Sequence, residues 1–557
     1  MNRNEDNRFA YIPANVDISR SVFNRDHKVV FSFNVGECIP FYVDEVIPGD
    51  TFSVNTAKVV RMQPLVAPIM DNVYLDTYYF FVPYRLLWNH WINFMGENTA
   101  TAWIPAVEYT QPQITVPSGG FDVGTIADYM GVPPKTGAGK TISALPFRAY
   151  AKICDDWFRD ENLMNPVHLY VDDTTRTGVN TGDQVTDIEL GGKPFISCKY
   201  HDYFTSALPG AQKAAPSQVQ FALDGLLPVN AYTSKSNLTA GTAKDSAFND
   251  IRFLNIDGTN YATPTGEHNV VLDGTNMKVL SGTTTGSIAN ITPNNLFASL
   301  NHTSVFDINS LRQAFQIQKF YERQARGGTR YIEIIKSFFN VDSPDARLQR
   351  SEYLGGNRLP LNVSQVEQTS ASQIGLTPQG NLTGISATGD VNSDFTKSFT
   401  EHGIVIGIAC ARYHHTYQQG LERFWSRKTK FDHYWPVFAN LGEQAIMTKE
   451  IYFGVSDDTS VFGYQEAWAD YRYKPSRVAG EMRSVHTTPL DSWHLADNYA
   501  SQPYLSDTWI REDKTMLDRC LAVTSAVSNQ LIADFYITCH AARPMPLYSV
   551  PGLIDHH

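Results

Sequence analysis

The run Asn72-Val73-Tyr74-Leu75-Asp76-Thr77-Tyr78-Tyr79-Phe80-Phe81-Val82-Pro83 limits the fold more than any other part of the chain. Aromatic and β-branched residues fill it, and these suit a pleated surface. Side chains alternate along a strand, so Val73, Leu75, Thr77, Tyr79 and Phe81 share one face. Tyr74, Asp76, Tyr78, Phe80 and Val82 share the other. Both faces are largely apolar, which predicts a central strand covered on both sides. Pro83 has no amide hydrogen and ends the ladder. Strong helix formers are scarce here, which argues against a buried helix. Residues 533–538, Ala-Asp-Phe-Tyr-Ile-Thr, have similar chemistry near the other end of the chain. The two runs are expected as neighbours in one sheet, folding the chain back on its own beginning.

A chain of 557 residues suits roughly three or four ordinary domains, or one β-domain with long loops. Charged residues make up only 18% of it. That is low for a free monomer and points to surface covered by copies of the chain or by partners. A net charge of −12 argues against a protein that coats nucleic acid with its whole surface, but it allows local basic patches. The six cysteines, at 38, 154, 198, 410, 520 and 539, form no Cys-x-x-Cys pair. They are expected as buried, reduced thiols rather than a disulfide frame or a zinc site. The polar first residues predict no signal peptide, and no apolar run of about 18 residues predicts a membrane span.

In chain order, residues 1–26 are expected as an extended arm. Strands are expected over 28–35, 41–46 and 51–62, the last after the turn Pro48-Gly49-Asp50. Helical spacing follows at Leu87, Trp91, Phe94 and Met95, closed by Gly96, and again over 147–163. Residues 215–311 are rich in Thr, Ser, Asn and Gly, without Trp or Cys. They predict an insertion of short strands and loops. A helix is expected over 310–324, a second over 329–339, a polar loop over 360–395, and a buried strand over 401–411.

Few motifs carry chemistry. Pro134-Lys135-Thr136-Gly137-Ala138-Gly139-Lys140-Thr141 resembles a phosphate-binding loop, but Pro134 stands where the first glycine belongs and no strand precedes it. It is read as a glycine-rich turn. His414-His415 point to opposite sides of a strand, so one metal cannot easily take both. No Gly-x-Ser-x-Gly elbow occurs. Residues 410–430 hold Arg412, Arg423, Arg427, Lys428 and Lys430 against Glu422, a local excess of four positive charges, with Phe424, Trp425, Phe431, His433 and Trp435 among or beside them. Cations for phosphates and aromatics for bases are the chemistry of single-strand binding. Residues 312–350 carry a similar excess, eight basic against four acidic.

Several runs together resemble one family. They include Met70-Asp71-Asn72-Val73-Tyr74-Leu75-Asp76-Thr77, Leu145-Pro146-Phe147-Arg148-Ala149-Tyr150, Asp202-Tyr203-Phe204-Thr205-Ser206-Ala207-Leu208-Pro209 and Ala325-Arg326-Gly327-Gly328-Thr329-Arg330-Tyr331. Tyr417-Gln418-Gln419-Gly420-Leu421-Glu422-Arg423, Tyr471-Arg472-Tyr473-Lys474-Pro475-Ser476 and Pro551-Gly552-Leu553-Ile554-Asp555-His556 continue the series in order. The chain resembles the major capsid proteins of the Microviridae, in the gokushovirus branch of small single-stranded DNA bacteriophages. Residues 215–305 match nothing in that pattern.

The resemblance implies a mainly β, single eight-stranded jelly roll with long inserted loops and a few short helices. On that pattern residues 1–26 are the arm, 27–84 the first strands, 85–214 inserted loops and helices, and 215–305 a surface protrusion at the threefold axis. Residues 306–400 are helices and loops, and 401–557 the remaining strands and tail. The implied function is a non-enzymatic T=1 icosahedral shell, built of copies of this chain in the host bacterial cytoplasm around circular single-stranded DNA. Implied partners are an internal scaffolding protein, a DNA pilot protein, a small DNA-binding protein and a host receptor. No cofactor and no membrane insertion are expected. Arg423, Trp425, Arg427, Lys428 and Lys430 are the candidate DNA contacts. The rival reading, from Trp and Tyr content, is a carbohydrate-active β-sandwich enzyme or lectin.

Overall fold

The computed structural model of the chain describes residues 20–96, 108–213, 349–370, 379–454 and 460–548, with the shorter segments 229–231, 253–255, 269–273, 276–280, 291–293, 296–298, 308–326 and 336–337. The chain forms two compact units, Met1–Ala215 with Phe320–His557, and Pro216–Lys319.

The first unit is a β-sandwich. The strands of its two main sheets are β1 (Ser21–Asn24), β2 (His27–Phe33), β3 (Ile39–Val46), β4 (Thr51–Met62), β5 (Val73–Pro83), β6 (Glu352–Leu361), β7 (Val363–Glu367), β8 (Leu382–Ser398), β9 (Gly403–Tyr413) and β12 (Leu531–Arg543); between the last two in sequence lies a separate ribbon, β10 (Glu443–Met447) and β11 (Val461–Glu466). One sheet has six strands, with β1 and β2 both on one edge of β12, followed by β4, β8 and β7. The other has four, in the order β6, β5, β9, β3. The chain passes repeatedly from sheet to sheet, which is the double-sheet jelly-roll arrangement. The strand count differs from the expected eight, because short strands β1 and β7 extend the larger sheet at its edges.

Strand β5 lies between β6 and β9 and pairs with β9 from Val73 opposite Tyr413 to Pro83 opposite Gly403. Its two faces serve two cores, as the alternation predicts. Val73, Leu75, Tyr79 and Phe81 enter the sandwich interior with Val405, Ala409, Ala411 and Tyr413 of β9. Phe80 and Val82, with Ile404, Ile406, Ile408 and Cys410 of β9, pack under the inserted loops and the helix α1 (Leu145–Ile153). Pro146 fits the first turn of α1, where its missing amide costs nothing. The helix stops short of the expected residue 163. It widens into a π-turn over Cys154–Phe158, which leaves Trp157 half exposed.

Two expectations need correction. Strands β5 and β12 are not neighbours in one sheet; β12 pairs with β1, β2 and β4 and lies in the opposite sheet of the sandwich. Its burial alternates strictly, with Ala533, Phe535, Ile537, Cys539 and Ala541 inside and Ile532 and Tyr536 exposed. Phe535 meets Phe31 at 5.1 Å within its own sheet and Phe41 of the facing sheet at 4.9 Å, both edge to face. Composition chose the core correctly but could not choose the sheet.

Residues 360–395, expected as loop, are mostly the strands β7 and β8. The polar character of β8 has a cause inside the sandwich. Lys58 of β4 is fully buried, donates to Thr77 Oγ1 at 3.1 Å, and lies 3.8 Å from Asp390 of β8. Thr56 joins Tyr79 at 2.6 Å and also donates to Asp394. Burial holds the Lys58 pKa below its ordinary value and pushes that of Asp394 up. On β6, a Cβ on Gly356 would lie 2.0 Å from Thr77 O, so only glycine admits the close approach to β5.

Other expectations take their places. The first 19 residues lie outside the described residues, but β1 shows that the end of the arm is a paired strand. Only Trp91–Phe94 forms the short helix before Gly96. Residues 134–141 form a turn with Gly137 and Gly139 at positive φ, followed by the strand Thr141–Ser143 rather than a helix. The helix expected over 310–324 spans Ile308–Arg326, and most of 329–339 lies outside the described residues. The cysteines are free thiols, all buried except the half-buried Cys198. No helix among the described residues is long and apolar enough to cross a membrane.

His414 and His415 do point apart. His414 packs on Tyr74 and Tyr200 at 5.5 and 4.8 Å. His415 is buried between Asp497 Oδ1 at 2.8 Å and Glu512 Oε1 at 2.9 Å. Burial opposes its charge, but Glu512 and Asp497 outweigh that and hold its pKa up at about 9. On the adjoining face, buried Asp76 gathers Arg358 at 2.8 Å, Arg412 at 2.6 Å and the Tyr200 hydroxyl at 2.7 Å.

Among the described residues, the second unit contains three antiparallel pairs. Val229–Ala231 pairs with Leu296–Ala298, Phe253–Asn255 with Ile291–Pro293, and Asn269–Asp273 with Asn276–Leu280. The pairs are nested in sequence.

Two stability predictions follow from these cores. Phe535→Ala should destabilise the unassembled protein by about 3–5 kcal/mol, and Tyr536→Ala, on the outer face, by far less; paired denaturant titrations measure both. A raised pKa for His415 means its stabilising charge is fully present below pH 6.5 and is lost as pH rises through about 9. The stability gap between wild type and His415→Gln should therefore be widest near pH 6 and shrink toward pH 10, by an amount on the order of 3 kcal/mol.

Candidate nucleic-acid interface

The candidate cations lie on the chain between β9 and β10. After β9 the chain makes one short turn at Arg423–Ser426 and another at Lys430–Asp432. Thr429 caps the second turn, and Asp432 returns the bond in a capping box. Asp432 accepts the backbone amides of Lys428 and Thr429 at 2.8 and 2.7 Å, and these hold its pKa below the usual carboxylate range.

The five candidate residues separate into two groups. Arg423 is largely buried and gives Nε and Nη2 to Glu450 Oε1 at 3.1 and 2.9 Å, with a further bond to the Ala445 carbonyl. Glu450 also accepts the Tyr203 hydroxyl at 2.9 Å and the Met447 amide at 2.9 Å. Arg427 pairs with Asp470 and lies over the Tyr471 ring, its guanidinium carbon 4.3 Å from the centroid. Both arginines therefore pin the loop to the ribbon β10–β11 and the turn after it.

Trp425, Lys428 and Lys430 form the exposed group. Trp425 is 66% exposed and packs beside Phe424 at 4.8 Å. Lys430 Nζ lies 5.1 Å from the Phe431 ring centroid, and Trp435 Nε1 donates to Lys430 O at 2.7 Å. Phe424, Phe431, Tyr434 and Trp435 are each exposed by 44–60%, so cations and aromatic faces share one surface.

Residues that the charge count missed complete the region. Lys474 and Arg477 each reach Glu422 at 3.0 Å, and Arg472 pairs with Glu466 at 2.7 Å. Of the positive charges between residues 410 and 430, Arg412 is held by Asp76, Arg423 by Glu450 and Arg427 by Asp470. The acids lie 27 residues or more away in sequence. No local window could have revealed them, whereas the exposed Lys–aromatic pattern was visible in the sequence. In the second basic stretch, Arg326 pairs with Glu443, and most of residues 327–348 lie outside the described residues. Among the described residues no group of His, Cys, Asp and Glu is placed to hold a metal.

Comparison with known proteins fixes the family. The model of the phage family "Capsid protein (F protein)" matches residues 11–553. The Capsid protein VP1 of Spiroplasma virus 4 is 43% identical over 543 residues, covering 96% of each chain. That of Chlamydia phage 1 is 39% identical over 98% of each chain, and that of Bdellovibrio phage phiMH2K 40% identical over 99% of this chain and 98% of its own. These relatives are structural proteins, which removes the carbohydrate-active reading. The chain belongs to the phage F-protein capsid family, in the gokushovirus branch of the Microviridae, and is a major capsid protein, a virion component that assembles with copies of itself.

Proposed function

We propose that this protein builds a T=1 icosahedral shell around circular single-stranded DNA, and that Trp425, Lys428 and Lys430 contact the strand. The observation that carries the DNA reading is the exposed surface on which Lys428 and Lys430 sit among Phe424, Trp425, Phe431 and Trp435. Lysines neutralise phosphates, and aromatic rings stack on bases without regard to sequence. Arg423 and Arg427 serve the same surface as positioning residues, since their charges are spent on Glu450 and Asp470. The insertion, residues 215–305, is assigned to a protrusion at the threefold axis that touches the host receptor. Its support is a unit of its own over Pro216–Lys319 and a composition unlike the rest of the chain. An internal scaffolding protein, a DNA pilot protein and a small DNA-binding protein complete the proposed partners.

Reversing both exposed charges, Lys428→Glu with Lys430→Glu, should lower the DNA content of purified particles while shells still form. Unchanged DNA content and particle yield would remove these residues from the genome surface. Deleting residues 220–300 should leave shells that assemble but fail to adsorb to cells. Loss of assembly would move the insertion from receptor contact to lattice contact.

A further inference from the structure

Inside the sandwich, one amine stands beside two carboxyl groups. Lys58 of β4 is opposite Asp390 of β8 on one side and Phe535 of β12 on the other. Residues directly opposite in an antiparallel pair carry their side chains on one face, with Cβ atoms about 4.5–5.5 Å apart. The Lys58 side chain is wholly buried, and its Nζ lies 3.8 Å from Asp390 Oδ2. That is close contact without a hydrogen bond. The amine donates instead to Thr77 Oγ1 at 3.1 Å. An ion pair taken out of water repays its desolvation only with good hydrogen-bonded geometry, which this pair lacks. Asn357 Nδ2 of β6 donates to Asp390 Oδ2 at 2.6 Å and fixes the carboxyl in place. A second acid of β8, Asp394, is held by the Thr56 hydroxyl and by Asn392 Nδ2, the latter at 3.0 Å. Burial pushes the Lys58 amine below its usual pKa against the pull of both acids, and it pushes the Asp394 carboxyl up. The site thus favours uncharged forms. A neutral amine is a nucleophile, whereas an ammonium is not.

We infer that Lys58 and Asp390 become joined by an amide bond between Nζ and Cγ, made by the folded chain itself. The inference is independent of how the shell meets DNA. A proton first passes from the Lys58 ammonium to Oδ1 of the Asp390 carboxylate. The free amine then adds to Cγ, and negative charge gathers on Oδ2, where the Asn357 amide stabilises it. Asp394 gives its proton to Oδ1 and takes one from the nitrogen, so it ends as it began. The Cγ–Oδ1 bond breaks and Oδ1 leaves as water. One C–N bond forms and one C–O bond breaks, with no change of oxidation state. The Asp390 side chain is 29% exposed, which gives the water a way out. The bond ties β4 to β8, and the loop that it closes in the chain contains all of residues 215–305.

The test is mass spectrometry of the purified full-length protein, denatured, and of its tryptic digest. Wild type should weigh less than its sequence by one water. Trypsin does not cut after an acylated lysine, so residues 29–61 should appear in one branched peptide with residues 359–397. Asp390→Ala should restore the full mass and release residues 29–58 as a separate peptide. Lys58→Met, similar in volume and uncharged, should also restore the full mass and covers any failure of Asp390→Ala to fold. Asp394→Asn should slow the loss of water about a hundredfold. Wild type at full mass with residues 29–58 free overturns the bond, and needs no variant to do so. A loss of water located at another aspartate overturns it as well. A branched peptide that forms equally fast in Asp394→Asn overturns the proton-carrying role of Asp394.

Discussion

Everything in the first unit hangs on the β5–β9 pair being buried on both faces. A sheet with one wet face would need only a sandwich partner. Here Phe80 and Val82 of β5 and Ile404, Ile406 and Ile408 of β9 lie on the side away from the sandwich and must be covered by something else. The inserted loops and α1 supply that cover, with Trp88, Phe121, Phe147 and Tyr150 as its main apolar bodies. Each such side chain contributes roughly 1.5–3 kcal/mol by leaving water. The loops are therefore a third layer with a core of its own, which explains how such long connections hold one conformation. Arg148, buried in that layer, donates to the carbonyls of Leu87 and Asp172 at 3.1 and 3.0 Å and so ties α1 to two loops.

The same pair fixes the polar architecture. Asp76 and Thr77 are adjacent on β5 and so face opposite ways. Thr77 meets Lys58 inside the sandwich, while Asp76 gathers Arg358 and Arg412 under the loops. Burial favours the protonated acid at Asp76, but the arginines and Tyr200 outweigh it and hold its pKa down. One strand thus anchors a buried cation on one side and a buried anion on the other. Breaking either contact strands a charge in a dry interior, which is more damaging than never having built it.

How much of this the sequence discloses depends on whether the signal is local. The two faces of β5, the limits of β4 and the burial of β9 follow from period and side-chain type. The sheet to which β12 belongs does not, because Ala533, Phe535 and Ile537 would fit either inner face equally well. Strand β8 escapes for the opposite reason. Its inward side chains include Ser386 and Thr388, and its Asp390 and Asp394 look like loop residues until the buried Lys58 is seen opposite them. Gly355-Gly356 on β6 likewise suggests a turn, yet glycine is needed there because Asp394 O of β8 lies too close for a side chain at Gly355 and Thr77 O of β5 too close at Gly356.

Charge counting fails in the same way at the candidate nucleic-acid surface. The window around residue 420 looks uniformly basic, but its arginines fold inward to acids far along the chain, and only its lysines stay in water. Chemistry favours that division. Guanidinium keeps its charge when buried and bonds through a rigid fork, so it suits Glu450 and Asp470. Ammonium is strongly hydrated and flexible, so it stays outside. The arginines make the loop rigid enough to hold Phe424 and Trp425 in the open, and the lysines give it reach. An exposed aromatic surface of this kind is unstable in isolation. It is tolerable in a protein whose working form is an assembly, where such faces are covered by other copies.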